Sequence, residues 1–447
     1  MSTKKLSVNI YKLYIFCLPL GRLFDLPFGD FYDKVITQFS TLLMLIGVFM
    51  LLIENKKLFS QRNKYFVHIY FFMLIFSLLA ASVFTFTLDN QYESPFSAIL
   101  GDIILYFFVL LSIFYNTYCL SNYVSLREVY KMFNFQVILL LLVGYSQLLG
   151  MIGFSIPYDI LSTIFSLREL SWLSSVDRGV TFFGSEPSSA SLLCFVVIPY
   201  LYSCIKEESG VKRVFFIIAL LLFTFLILCS NSSQLLILFF GSAIVFLWAC
   251  FKSISKIFYF FSFTGGFIFA LAYLNTESVS SVSNYDTKSI EYAILGKIVD
   301  RENLSTAMRA STVINDFKVF FDYPLTGVGD GIQGFFYAEN QPSWTKSSSE
   351  VSELISTHTI PNGGGNFFPS YISAYGFIGI IFLVLFIRRY KYLYRTSILL
   401  QDKRIDLIFQ ISIILFLFAG WHVVGIKQSE TMIFILSLPC VSSLKIK

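Results

Sequence analysis

The sequence predicts an all-α integral membrane protein of about twelve transmembrane helices, with one large and one smaller outward-facing loop carrying short helices. Three observations predict it. Apolar runs near twenty residues recur along the chain, 56% of its residues are hydrophobic, and only 14% are charged. One polar segment, 275–366, interrupts this pattern, and Lys and Arg alternate in density from one connection to the next.

A helix rises about 1.5 Å per residue and the hydrocarbon core is about 30 Å thick, so runs near twenty residues can cross it. In chain order the expected spans are Ile10 to Phe24, Val35 to Ile53, Tyr65 to Thr87, Phe96 to Tyr118, Met132 to Phe154 and Pro187 to Cys204. Val214 to Cys229, Leu235 to Phe251 and Ile257 to Leu274 follow, and then, past the polar segment, Phe367 to Ile387, Ile405 to Trp421 and Thr431 to Val441. Pro19, Pro27 and Pro439 interrupt or border the first and last of these. Residues 1–274 thus hold nine helices and the smaller outward loop, 155–186. Residues 275–366 form the large outward loop, and 367–447 hold three more helices.

Orientation follows from Lys and Arg in short connections, because these residues resist translocation. One alternating set of connections, from Lys4 and Lys5 through the dense run Arg388 to Arg404 and on to Lys445 and Lys447, carries 21 of them. The opposite short connections hold Arg22, Arg168, Arg178 and Lys427. Both termini are therefore expected in the cytoplasm, and the segment 275–366 outside. The net charge of +5 is accounted for by this asymmetry and asks for no nucleic-acid partner.

The seven cysteines fall within or at the ends of expected spans, so no disulfide-stapled outer domain is expected, and no pair has metal-ligand spacing. In the smaller loop, Ile160, Ile164, Leu167 and Leu170 recur at helical spacing and predict a short interfacial helix over Asp159 to Trp172. It leads into Asp177-Arg178-Gly179, Phe182 and Glu186-Pro187-Ser188; Pro187 suits a first helical turn, with Glu186 beside its positive end. In the large loop, Ala307, Ala310, Ile314, Phe317 and Phe321 predict a helix with Ser305 as its N-cap, Arg301 just before it and Arg309 one turn in. A turn-forming run, Asp322 to Gly331, follows; its Gly-Val-Gly-Asp-Gly lacks the strand and helix that a dinucleotide site requires. Asp102 is an acid inside a span, costly unless it faces a cavity or a partner, and is expected to line a cavity for the lipid head. His68 and His422 read as interfacial residues.

These residues resemble those of the O-antigen polymerases and the related O-antigen ligases of bacterial surface-glycan assembly. The resemblance rests on Arg178-Gly179, Phe182 and Glu186-Pro187-Ser188, on Arg309 followed by Pro324-Leu325-Thr326-Gly327-Val328-Gly329, and on Asn366-Phe367-Phe368 leading into Ala374-Tyr375-Gly376-Phe377-Ile378-Gly379. It covers the topology of the whole chain. It implies a GT-C-like fold in the bacterial cytoplasmic (inner) membrane and an inverting, metal-independent glycosyltransferase that needs no cofactor. The donor would be a growing saccharide on polyprenyl pyrophosphate, the acceptor a lipid-linked repeat unit, and a chain-length regulator a partner. A pyrophosphate leaving group favours bidentate arginine, which suits Arg178 and Arg309 with Arg301 in reserve. The acceptor hydroxyl needs a base, supplied by Glu186 or His358.

The chain departs from the ligase pattern, which places a His-Asn pair where this sequence reads Gly365-Asn366, with His358 eight residues upstream of Asn366. It also reads Ser230-Asn231-Ser232 where the family carries a Ser-Arg pair. Loss of the His-Asn pair favours polymerase over ligase. A flippase, the third reading, would spread charges over several spans and carry little outward loop mass.

Overall fold

The computed structural model describes residues 3–20, 39–56, 62, 64–84, 95–165, 167, 169–175, 179–184, 187–230, 232–252, 254–274, 304–341, 345, 348, 351–352, 366–421 and 429–441. Among them the chain is helical, with no strand. Helix α1 spans Thr3–Cys17, α2 Phe39–Ile53, α3 Lys64–Phe84, α4 Pro95–Asn122 and α5 Leu126–Met151; two short helices follow, α6 over Ile156–Ser162 and α7 over Leu170–Ser175. Then come α8 (Val197–Glu207), α9 (Gly210–Leu228), α10 (Ser233–Phe251), α11 (Lys256–Leu274), α12 (Leu304–Asp322), α13 (Tyr337–Asn340), α14 (Phe368–Thr396), α15 (Lys403–Ala419) and α16 (Glu430–Ser437).

Seven helices among the described residues are long and apolar enough to cross a membrane: α3, α4, α5, α9, α10, α14 and the composite segment 190–207. The remaining expected spans appear as shorter helices, α1 and α2 with 15 residues each, α15 with 17, and 430–440 with α16 closed by a 3-10 turn. In α11 the stretch 256–271 likewise counts among the shorter apolar helices. Twelve spans of full length are therefore not what the described residues display.

The helices pack by burying aromatic rings rather than exposing one apolar stripe to water. Tyr11, Tyr14 and Tyr115 are fully buried and meet at ring separations of 5.2–5.7 Å where α1 contacts α4. Opposite faces stay apolar and exposed, as Phe49, Leu79, Ile244 and Ile381 do, which is the arrangement a lipid solvent requires. One acid is held inside this core: Glu430, 3% exposed, accepts from Tyr14 at 2.9 Å and Ser112 at 2.6 Å, joining α16 to α1 and α4.

Three local expectations are corrected. The interfacial helix over Asp159 to Trp172 is instead split into α6 and α7, because Ser162 and Thr163 turn their hydroxyls back onto the carbonyls of Asp159 and Ile160 and end the first piece. The span from Pro187 begins as a 3-10 helix to Phe195 and becomes α-helical only at Val197, where the Phe195 carbonyl accepts from Ser412. On α12, Phe317 is 3% exposed while Phe321 is 65% exposed, so the buried face ends a turn early; the helix starts at Leu304, which puts Ser305 inside it rather than at its cap.

Candidate functional site

The segment 324–329 and helix α14 share backbone hydrogen bonds across a break in the helix. Gly376 lies inside α14 with φ +56° and ψ −151°, so the helical ladder is interrupted there. The carbonyls this frees, on Ser373 and Ala374, accept from the N–H groups of Val328 (3.1 Å) and Gly329 (2.9 Å). The freed N–H groups of Phe377 and Ile378 donate to Pro324 (2.8 Å) and Leu325 (3.3 Å). Four backbone groups that the break costs the helix are thus recovered from the turn. Such closeness needs glycine on both sides. A Cβ on Gly376 would stand 2.6 Å from the Pro324 carbonyl oxygen, and one on Gly327, at φ +63°, would collide with the backbone of Ser373 and Ala374.

Beyond this junction the turn delivers Asp330, 4% exposed, into a seam between α3, α4 and α14. Its carboxylate accepts from Gln333 (3.1 Å), from the Gly331 N–H (3.1 Å), from Tyr375 (3.4 Å) and from Tyr106. Its own N–H donates to Ser77 at 3.2 Å. Asp102, 1% exposed, lies in the same seam, and a narrow cleft is lined by Ser77, Asp102, Tyr106, Asp330 and Tyr375 among apolar neighbours.

A second acid stands on α12. Asp316 is fully buried, and its Oδ1 accepts from Tyr337 on α13 (2.8 Å) and from Ser373 on α14 (2.8 Å). Burial pushes its carboxyl up to about 7; Tyr337, Ser373 and the Asn366 amide pull the other way, and the Asp330 charge adds to the rise. Asn366 immediately precedes α14, and its Oδ1 accepts from the Ser370 N–H at 3.0 Å, which fixes which end of its amide is the NH2 group. Asp316 Oδ2 and Asn366 Nδ2 are both buried, and the Asn366 amide stands close enough to the Asp316 carboxyl to favour its ionised form. Gln333 ties Asp330 to α14, reaching the Asp330 carboxylate on one side and the Ser370 carbonyl (3.3 Å) on the other.

Of the residues singled out by sequence, Arg309 and Asp102 lie within this framework. Arg309 is half-buried on α12, seven residues before Asp316 and therefore on nearly the same face. Arg178, Glu186, Arg301 and His358 lie outside the described residues. The segment beside the first two is described from Gly179, and it is held from below: Gln147 on α5 accepts from the N–H groups of Thr181 (3.2 Å) and Phe182 (2.9 Å) and donates to the Phe182 carbonyl (2.8 Å). Phe182 keeps a positive φ of 54°, and a Cβ on Gly179 would collide with the Cys229 carbonyl. The residues after Arg178 therefore dip into the helical core beside the α9–α10 connection.

Sequence reasoning passed over Asp316, Asp330, Gln333 and Tyr337. Asp330 had a signal, since an acid in a glycine run is placed where backbone approaches closely; Asp316 looked like any polar residue on an amphipathic helix. Compared with protein-family models and with curated proteins, the chain matches none.

Proposed function

We propose that this protein is a polymerase of lipid-linked oligosaccharide repeat units, an integral membrane glycosyltransferase of the O-antigen polymerase kind. It transfers the growing glycan from polyprenyl pyrophosphate to the next lipid-linked repeat on the outer leaflet, with both termini in the cytoplasm. The observation that carries this reading is the junction between 324–329 and 374–379. Two of the motif segments on which the sequence resemblance rests are locked together by four backbone hydrogen bonds, directly beside a seam lined with Asp330 and Asp102.

The chemistry suits such a site. Departure of a pyrophosphate develops negative charge, and a guanidinium at the outer end of α12 supplies bidentate stabilisation that an ammonium does not. Arg309 takes this part, with Arg178 and Arg301 as further cations. Buried carboxylates and tyrosines are the groups that accept hydrogen bonds from sugar hydroxyls and stack on sugar rings. The transfer is inverting and uses no cofactor in this reading.

The test is a size profile of surface glycan and of lipid-linked intermediates from cells lacking the protein, complemented with wild type or with Arg309→Ala. Wild type is expected to restore long polymer, and Arg309→Ala to leave surface glycan at a single repeat. Long polymer accumulating on the polyprenyl carrier in the deletion strain would make the protein a ligase instead. Unpolymerised repeats trapped on the cytoplasmic leaflet would make it a flippase.

A further inference from the structure

We propose that α6 is a membrane anchor: it lies at the lipid–water boundary with Ile156, Ile160 and Ile164 sunk among lipid chains. The proposal goes beyond the polymerase reading and stands without it. Successive residues of a helix turn by about 100°, so α6 and the turn that follows it divide into three sectors. In the first, Tyr158 is buried and Leu161 and Phe165 pack against the core beside α5. The second is polar: Ser155 donates to the exposed Asp159 carboxylate at 2.7 Å, and Ser162 and Thr163 lie on the same side. The third holds Ile156, Ile160 and Ile164, which are 61%, 59% and 56% exposed. A helix packed on a protein in water has one apolar and one polar face. A further apolar face, uncovered by protein, marks a second apolar medium.

The depth of α6 follows from α5, the helix before it. In the first turn of α5, Glu128 pairs with Lys12 at 2.7 Å, their side chains 37% and 28% exposed, and Arg127 is exposed, so this end stands outside the hydrocarbon. Ile152, which caps the other end, lies 24 residues further on, about 36 Å along the axis. That exceeds the roughly 30 Å of hydrocarbon, so α5 delivers the chain to the opposite boundary. Gly153 turns it there, at φ +96°, and α6 begins three residues later. With seven residues α6 is too short to cross, and it starts where an interfacial helix belongs.

Lipid is the occupant that fits the isoleucine row. The row takes up where α5 leaves an exposed apolar stripe of Phe135, Ile138, Leu142 and Ile152, 47–73% exposed, on a helix long and apolar enough to cross a membrane. Three side chains on two turns are too small a face for a stable protein partner, whose contact takes about 800 Å² from each side. Asp159 sets the limit of insertion, because a carboxylate must keep its water; the helix therefore lies along the boundary and not within the hydrocarbon. The inner face of the same element meets the segment 179–184, with Phe165 edge-on to Phe183 at 5.4 Å. The residues that follow Arg178 are thus one ring away from the lipid boundary, the depth at which a lipid-linked pyrophosphate lies.

The experiment uses the full chain carrying Cys229→Ser and Cys250→Ser; the other five cysteines are buried and stay. A single cysteine is introduced as Ile156→Cys, Ile160→Cys or Asp159→Cys, labelled with a nitroxide, and the protein is reconstituted in phosphatidylcholine vesicles. Power saturation then compares relaxation of the label by oxygen, which concentrates among lipid chains, with relaxation by a water-soluble nickel chelate. Oxygen is expected to be the stronger relaxant at Ile156→Cys and Ile160→Cys, at a depth of about 5–10 Å into the boundary, and nickel the stronger at Asp159→Cys. Labels at the two isoleucine positions that nickel relaxes as strongly as the one at Asp159→Cys overturn the proposal, because the row then stands in water. Labels there that neither agent reaches overturn it as well, because the row is then covered by protein, whether a second copy of this chain or another. The two isoleucine positions are read independently, so a variant that fails to fold leaves the other to decide, and either result leaves the polymerase reading as it stands.

Discussion

At the residue scale, Asp316 shows how burial and hydrogen bonding set a side chain's properties against each other. Loss of solvent disfavours its ionised form more strongly than three donors, Tyr337, Ser373 and Asn366, favour it. The folded chain therefore binds this proton more tightly than the unfolded chain, whose carboxyl keeps the ordinary aspartate value of about 3.9. Stability from this residue is whole below about pH 4 and is lost as pH rises through about 7, with a slope of at most about 1.4 kcal/mol per pH unit. Between those limits wild type should lose thermal stability in detergent relative to Asp316→Asn, whose amide does not titrate. Parallel melting curves from pH 4.5 to 8 would show that the residue is not perturbed as described.

At the scale of elements, α14 is two half-helices joined through the turn 324–329, and glycine makes the joint. Alanine at Gly376 must hold φ +56° and bring its methyl to 2.6 Å from the Pro324 carbonyl oxygen. The expected cost is at least about 1–3 kcal/mol from backbone strain alone, before the turn is pushed away. Gly376→Ala should therefore lower the melting temperature and abolish polymer formation together, and an unchanged melting temperature would sink the joint. The sequence made both halves of this joint conspicuous, Pro324 to Gly329 by its alternating glycines and Ala374 to Gly379 by its part in the family resemblance. What it did not reveal was that they meet, because the contact spans about fifty residues and is made by backbone groups that carry no residue-specific signal. Seven helices of membrane-crossing length were legible among the described residues, since an apolar run is a local property, with an edge displaced by as much as nine residues in α14, which runs to Thr396 rather than Ile387. Periodicity alone extended the buried face of α12 to Phe321, because spacing does not say where the neighbouring helix ends. It gave no hint of Asp316, whose burial depends on three elements converging on it.

At the scale of the whole molecule, polar function and basic charge occupy opposite ends of the same helix. Ser373, which holds Asp316, and Arg388, which opens the basic run, lie fifteen residues apart on α14, about 22 Å along its axis, so most of the hydrocarbon thickness separates them. Arg388, Arg389, Lys391 and Arg395 are all exposed, and Arg389 lies over the Tyr392 ring at 4.9 Å. By the positive-inside rule a basic band of this kind is expected at the cytoplasmic boundary, which would put the seam of Asp330 near the outer one. The proposed topology can be tested without any assay of function. With the seven native cysteines replaced, Asp322→Cys at the exposed end of α12 should react with a membrane-impermeant maleimide in intact spheroplasts, whereas Lys391→Cys should react only after permeabilisation. The reverse pattern would turn the molecule over and place the acids on the cytoplasmic side. An outer-leaflet polymerase would then be excluded, because lipid-linked repeats on the outer leaflet could not reach the seam of Asp330 and Asp102 there.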